Sequence, residues 1–283
     1  MLAAGDAACY AAKAGGRNRV EVFEPHVHRK RRYDQSSPRR ARMEQALVGN
    51  SLLFFVQPFD ANLGHELPLL IELSAALPGE EGSAPVPLSC VMEDAERFEL
   101  AQIFDQHLVG QAVALLPQTD KCLILVRLAA GSVRCEAFAD FLTTTLQYLG
   151  EQAQRLCFVV SEEVALQHPA NMERFCDVLR AHRCVIGLDD FGGWMGSFQH
   201  LQDIRPGLVR VTQTLTREIA DHRSSQPLIK AIQEVARDQA IHTAALGIDR
   251  LEDRHCLAQL GLDYLQGDCL QQAKPLEHWL ATI

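Results

Sequence analysis

The sequence predicts an α/β protein, a closed (β/α)8 barrel of parallel strands with helical crossovers, and three observations carry that prediction. The chain has 283 residues, 47% hydrophobic and 22% charged, a composition able to bury a full core. From about residue 41 onward, short apolar runs alternate with amphipathic stretches. Such alternation favours strands joined by helices, and at this length the closed eight-unit barrel is the natural form.

In chain order, residues 1–24 read as an Ala-rich helix, Ala4-Gly5-Asp6-Ala7-Ala8-Cys9-Tyr10-Ala11-Ala12-Lys13, ended by Gly15-Gly16 and followed by a strand from Val20 to Phe23. Residues 25–42 have linker composition, with two His, four consecutive basic residues and a Ser pair. The main unit, residues 43–283, opens with a helix containing Met43 to Leu47. Its apolar runs are Leu52 to Val56, Leu123 to Leu128, Leu156 to Val160, Val185 to Leu188, Leu208 to Val211, Ile241 to Leu246 and Leu262 to Leu265. Between them, Phe138, Phe141, Leu142, Leu146 and Leu149, and again Phe175, Val178 and Leu179, recur at helical spacing.

Composition excludes several function classes. A net charge of −9 argues against nucleic acid as a partner, because a phosphate backbone is held by a basic surface. Seven basic residues between Arg29 and Arg42 against Asp34 give a local +6 and leave −15 elsewhere, and that basic run reads as a solvated linker. No apolar run reaches the roughly 18 residues of a membrane span, and the N-terminus lacks a signal-peptide layout, so the expected location is cytoplasmic. Nine cysteines include no CxxC pair and several sit in apolar runs, which predicts reduced core thiols. His168, His182, His200, His242 and His255 show no metal-binding spacing.

Chemistry in such barrels collects where strands end. The most informative strand end is Val185-Ile186-Gly187-Leu188-Asp189-Asp190-Phe191-Gly192, where two adjacent carboxylates precede a glycine turn. Paired acids there suit a divalent metal, and they equally suit a turn leading into the next helix. With Leu201, Ile204 and Pro206 behind it, this stretch resembles the LDDFG core of EAL domains, which are cyclic di-GMP phosphodiesterases. Gln57-Pro58-Phe59 is similar to the family's opening, Gly247-Ile248-Asp249 falls where AEGVE belongs, Gly261-Leu262-Asp263 with Gln266-Gly267 matches its LG.D..QG, and Lys274-Pro275 its closing KP. Residues 1–24, ending Gly16-Arg17-Asn18-Arg19-Val20, resemble the tail of a GGDEF domain, whose nucleotide and metal residues are absent here. The resemblance implies an EAL-type barrel with one antiparallel strand, preceded by a short helix-strand remnant, as expected either of a fragment or of a start set inside a longer gene.

Active members of that family hold Mg2+ or Mn2+ in a ring of carboxylates plus one Asn, with a Lys nearby, and the position-by-position match departs from this. Glu72 stands for the Glu of the EAL triplet, and Asp189, Asp190 and Gln266 are retained. Arg127 stands where the Asn belongs, Val159 replaces the first Glu of E.TE, Arg210 and Thr212 replace the Lys and Asp of K.D, and Leu246 and Asp249 replace the two Glu of AEGVE. A guanidinium cannot coordinate a cation and repels one nearby. The expectation is therefore a catalytically inactive EAL domain acting as a cyclic di-GMP receptor or signalling scaffold, with no catalytic residue, no metal and no cofactor. Ligand-lining candidates are Gln57, Glu72, Arg127, Asp189, Asp190, Arg210, Asp249, Gln266 and Pro275, with Arg127 and Arg210 aimed at phosphate. The alternatives are an interaction module in which Arg127 pairs with Asp189 or Asp190 in a sealed pocket, and a residual phosphodiesterase using Mg2+ or Mn2+. Trp194 and Met195, where the family has Gly-Tyr, suit a protein partner or a homodimer contact, or buried packing.

Overall fold

The computed structural model describes residues 37–62, 67–80, 83–119, 122–193 and 197–283. The helix-strand expected in residues 1–24, most of the basic linker, and Trp194 and Met195 lie outside the described residues.

In chain order the strands are β1 (Leu53–Pro58), β2 (Asp60–Ala61), β3 (Leu69–Leu77), β4 (Val86–Pro87), β5 (Cys122–Arg127), β6 (Leu156–Ser161), β7 (Val185–Phe191), β8 (Leu208–Val211), β9 (His242–Ala245), β10 (Tyr264–Leu265) and β11 (Lys274–Pro275). The helices are α1 (Pro38–Val48), α2 (Met92–Arg97), α3 (Ala101–Leu115), α4 (Ala130–Arg134), α5 (Glu136–Leu149), α6 (Glu162–Gln167), α7 (Pro169–Ala181), α8 (Leu201–Ile204), α9 (Gln213–Thr216), α10 (Gln226–Asp238), α11 (Leu251–Gln259) and α12 (Leu276–Leu280). Helix α1 opens at Pro38, whose fixed φ suits a first helical turn. It therefore takes up Arg39, Arg40 and Arg42, which the sequence placed in the linker.

Strands β3, β5, β6, β7, β8, β9 and β10 pair in parallel, each with the next. β1 runs antiparallel to β3, and β2, one residue beyond β1, runs antiparallel to β10. The sheet thus curls round until its two ends meet on a single antiparallel stave hinged at Phe59. Of the described strands longer than two residues, β3 alone is absent from the sequence's apolar runs, because Glu72 and Ser74 interrupt it.

Side-chain alternation sorts each strand into two faces. Ile71, Leu73, Ile124, Val126, Phe158, Val160, Ile186, Leu188, Val209 and Val211 pack outward against helix residues including Phe104, Leu108, Phe138, Leu142, Leu146, Phe175, Leu179, Ile229 and Ile232. Leu70, Leu125, Cys157, Val159, Leu208, Ala244, Tyr264 and Phe59 fill a separate inner cluster. Positions Glu72, Arg127, Asp189 and Arg210 share the inward parity, Glu72 midway along β3 and the other three in the C-terminal halves of their strands, so their polar groups converge above that inner plug. Gly187 is required here, since a Cβ would lie 2.6 Å from Cγ2 of Val159. Cys122, Cys157, Cys176 and Cys184 are buried, and burial pushes the thiols of Cys157 and Cys184 up to about 12. Among the described residues no helix is long and apolar enough to cross a membrane.

Candidate functional site

Two linked clusters occupy the mouth of the barrel. The first is an ion cluster centred on Arg210, whose side chain is only 2% exposed. Its Nε donates to Oδ1 of Asp189 at 2.9 Å, its Nη2 to Oδ2 of Asp189 at 2.5 Å, and its Nη1 to Oε1 of Glu72 at 2.9 Å. All three guanidinium nitrogens are thus committed to two carboxylates, one of them held bidentate. Arg127, from β5, adds Nε at 2.9 Å from Oδ2 of Asp189 and Nη2 at 3.8 Å from Oδ2 of Asp190. Its side chain is 47% exposed.

The strand β7 makes this clustering work. Consecutive side chains on a regular strand face opposite ways, yet Asp189 and Asp190 both reach Arg127. A register shift between Leu188 and Phe191, with Asp190 at φ 57° in the left-handed region, turns the second carboxylate back toward the mouth. The Asp190 N–H then donates to Oδ1 of Asp189 at 3.0 Å.

The electrostatics follow from burial and partners. Burial pushes the Asp189 carboxyl up, but Arg210 and then Arg127 outweigh it and hold the group below the ordinary carboxylate range. Asp190 is pushed the other way, by burial and by the neighbouring Asp189 charge. Burial works against the Arg210 charge too, and Glu72 and Asp189 more than compensate, so its pKa is raised.

The second cluster is made of amides. Gln57 lies opposite Glu72 in the β1–β3 register, which places it beside the ion cluster. Gln266, buried at the end of β10, donates from Nε2 to the Gln57 carbonyl at 3.2 Å. The Gln57 side chain donates to the Gln271 carbonyl at 2.8 Å, and Gln271 Nε2 donates to Oδ1 of Asp60 at 2.8 Å. Gln271 and Asp60 were missed in the sequence; the hint was a polar run after Gln266-Gly267 at a predicted strand end. Asp249 is exposed in the loop after β9 and Pro275 is exposed in β11 opposite Phe55, and neither joins the ion cluster.

Of the substituted positions, Val159 belongs to the apolar plug and Leu246 packs against it, while Thr212 is buried and meets Thr214 at 3.2 Å. These donors do not fit a divalent cation. The inner oxygens of Glu72 and Asp189 face the N–H groups of a buried guanidinium, and among the described residues no group of three or more His, Cys, Asp or Glu side chains is placed to hold a metal. The expected phosphate contact at Arg210 meets a guanidinium whose three nitrogens already bond Asp189 and Glu72, whereas the Arg127 side chain remains half-exposed.

A second acid missed in the sequence is Asp105, buried in α3. Its Oδ2 accepts from Ala129 N at 2.8 Å and Ser132 Oγ at 2.6 Å, which pins the segment just beyond Arg127. Burial drives its carboxyl up to about 7. The signal was a lone acid on the apolar face of a helical run.

Comparison with known proteins agrees with the architecture. The EAL domain family model matches residues 40–273. Cyclic di-GMP phosphodiesterase PdeB of Shewanella oneidensis is 26% identical over 98% of this chain and 33% of its own length. Cyclic di-GMP phosphodiesterase PdeF of Escherichia coli is 24% identical over 86% of this chain and 32% of its own. The chain therefore spans about a third of the length of these curated relatives. Among solved structures, the Xanthomonas citri FimX EAL domain in complex with c-diGMP superposes with a TM-score of 0.75 at 26% identity, covering 89% of this chain and 96% of that one. The Pseudomonas aeruginosa FimX EAL domain bound to c-di-GMP gives 0.77 at 20% identity, over 84% of this chain and 97% of that one, a likeness of fold. With the family match spanning most of the barrel and the mixed-orientation sheet shared with these domains, the chain belongs to the EAL domain family.

Proposed function

We propose that this chain is an EAL domain that binds cyclic di-GMP without divalent metal and without hydrolysing it, serving as a receptor that acts through a protein partner. The observation that carries the reading is the buried guanidinium of Arg210 bridging Glu72 and Asp189. Two-metal phosphodiester hydrolysis needs a carboxylate-rich pocket open to cations. Here a fixed positive charge occupies the space between the carboxylates, and Val159 and Leu246 add apolar surface in place of ligands. Arg127 keeps a half-exposed guanidinium whose planar fork matches a phosphate. Gln57, with Gln266 and Gln271, supplies amide groups beside it. The N-terminal 24 residues fit the same signalling context as the end of a GGDEF-type domain.

Calorimetry with cyclic di-GMP in EDTA and in Mg2+ tests the proposal, together with a turnover assay for the linear dinucleotide. We expect equal affinity in both buffers and no hydrolysis with Mg2+ or Mn2+. Arg127→Ala should weaken binding by about 1.5–3 kcal/mol, the range for a hydrogen bond to a charged group. Metal-dependent binding or turnover above background would overturn the reading.

A further inference from the structure

Resting on that reading, we infer that Asp190 is a resident competitor for Arg127, so that the site admits an anionic phosphodiester by exchanging a carboxylate of its own for the ligand's phosphate. The geometry separates the edges of the Arg127 guanidinium. Nε is committed to Asp189 at 2.9 Å, whereas Nη2 faces Asp190 at 3.8 Å, an ion pair too long to be a hydrogen bond. The Nη1–Nη2 edge is therefore the one on which a phosphate can sit with two parallel N–H donors. A phosphate there draws Nη2 away from Asp190 and adds its own negative charge next to that carboxylate. Asp189 is not exchanged, because it is buried and holds three further contacts, two from Arg210 and one from the Asp190 N–H.

Asp190 is also built in a way that serves this role. Its side chain is 55% exposed, so it is free to swing into solvent as the phosphate enters. Its left-handed backbone at φ 57° is what aims it at Arg127 at all. Asn tolerates that conformation as well as Asp does, which makes Asp190→Asn a clean removal of the charge.

The test is a double-mutant cycle by calorimetry with cyclic di-GMP in EDTA, using wild type, Asp190→Asn, Arg127→Ala and the double variant, with thermal melts confirming that each folds. We expect Asp190→Asn to tighten binding by about two- to fivefold, the scale of a partly exposed ion pair. In the Arg127→Ala background the same change should gain clearly less, because no guanidinium remains to be released. Unchanged or weaker binding by Asp190→Asn overturns the inference, and so does an equal gain with and without Arg127, which would mean plain charge repulsion. Arg127→Ala binding as tightly as wild type, or no binding by any variant, would instead bring down the nucleotide-binding reading on which the inference rests.

Discussion

Replacing Arg210 by Ala removes the cation at the centre of the cluster. Asp189 loses two donors and keeps its ion pair with Arg127 and the Asp190 N–H, while Glu72 loses its 2.9 Å contact. Breaking a buried ion pair by deleting one partner costs about 3–5 kcal/mol, since a desolvated charge is left behind. Because Arg127 still shields Asp189, the expected loss is about 3 kcal/mol, the lower end of that range. In a domain of this size that corresponds to a fall in Tm of about 6–12 °C. Urea and thermal unfolding followed by circular dichroism at pH 7 provide the assay. Adding Asp189→Asn to Arg210→Ala should recover part of the loss, because it discharges the stranded carboxylate. The pH profile should respond in step. Depression of the Asp189 pKa stabilises wild type above the unfolded value of about 4, and that stabilisation is lost as pH falls through the lower folded value. In Arg210→Ala that loss on acidification should shrink or reverse, because burial, the largest influence raising the Asp189 pKa, is no longer outweighed by Arg210. A destabilisation under about 1 kcal/mol would refute the reasoning, since it is what a solvated surface pair gives.

Asp105→Asn should stabilise the protein at pH 8 by up to about 4 kcal/mol, with the difference vanishing by pH 4. The native carboxyl is raised to about 7, so wild-type stability is full below about pH 4 and declines as pH rises through 7. Tm measured from pH 4 to 8.5 decides it, and a wild type that gains stability over that range would contradict the argument. Gly267→Ala should cost about 1–3 kcal/mol, because its Cβ would overlap the backbone of Ile248; unchanged urea unfolding would exclude that close approach.

Much of the fold was legible because burial writes itself into periodicity. The run Leu208 to Val211 is β8 residue for residue, and the helical spacing from Phe138 to Leu149 falls within α5. β3 was legible only through Glu72, since a polar residue that serves the site breaks the apolar pattern. Of the candidate site residues, Glu72, Arg127, Asp189, Asp190 and Arg210 meet in one cluster, and Gln57 meets Gln266 in the other. What sequence could not rank was the two arginines. Both stand at inward-facing strand positions, and only their burial in the folded barrel, 2% exposed for Arg210 against 47% for Arg127, separates them. The turn of Asp190 depends on a bulge and a left-handed φ, neither of which has a signature in Leu188-Asp189-Asp190-Phe191.

The seam at Phe59 bears on the order in which the molecule assembles. Gln57 and Gln266 are 209 positions apart and meet only when β2 docks on β10, whereas neighbouring parallel strands are joined by far shorter segments. Closing the longest loop pays the largest chain entropy for its first contacts, so the seam is the natural last step of folding and the first to fray. Half of the mouth therefore exists only in the finished barrel. A ligand gripping the amides across that seam would act as a clasp, slowing the opening of the chain's two distant ends, and an unfinished or partly opened barrel would be deaf to it.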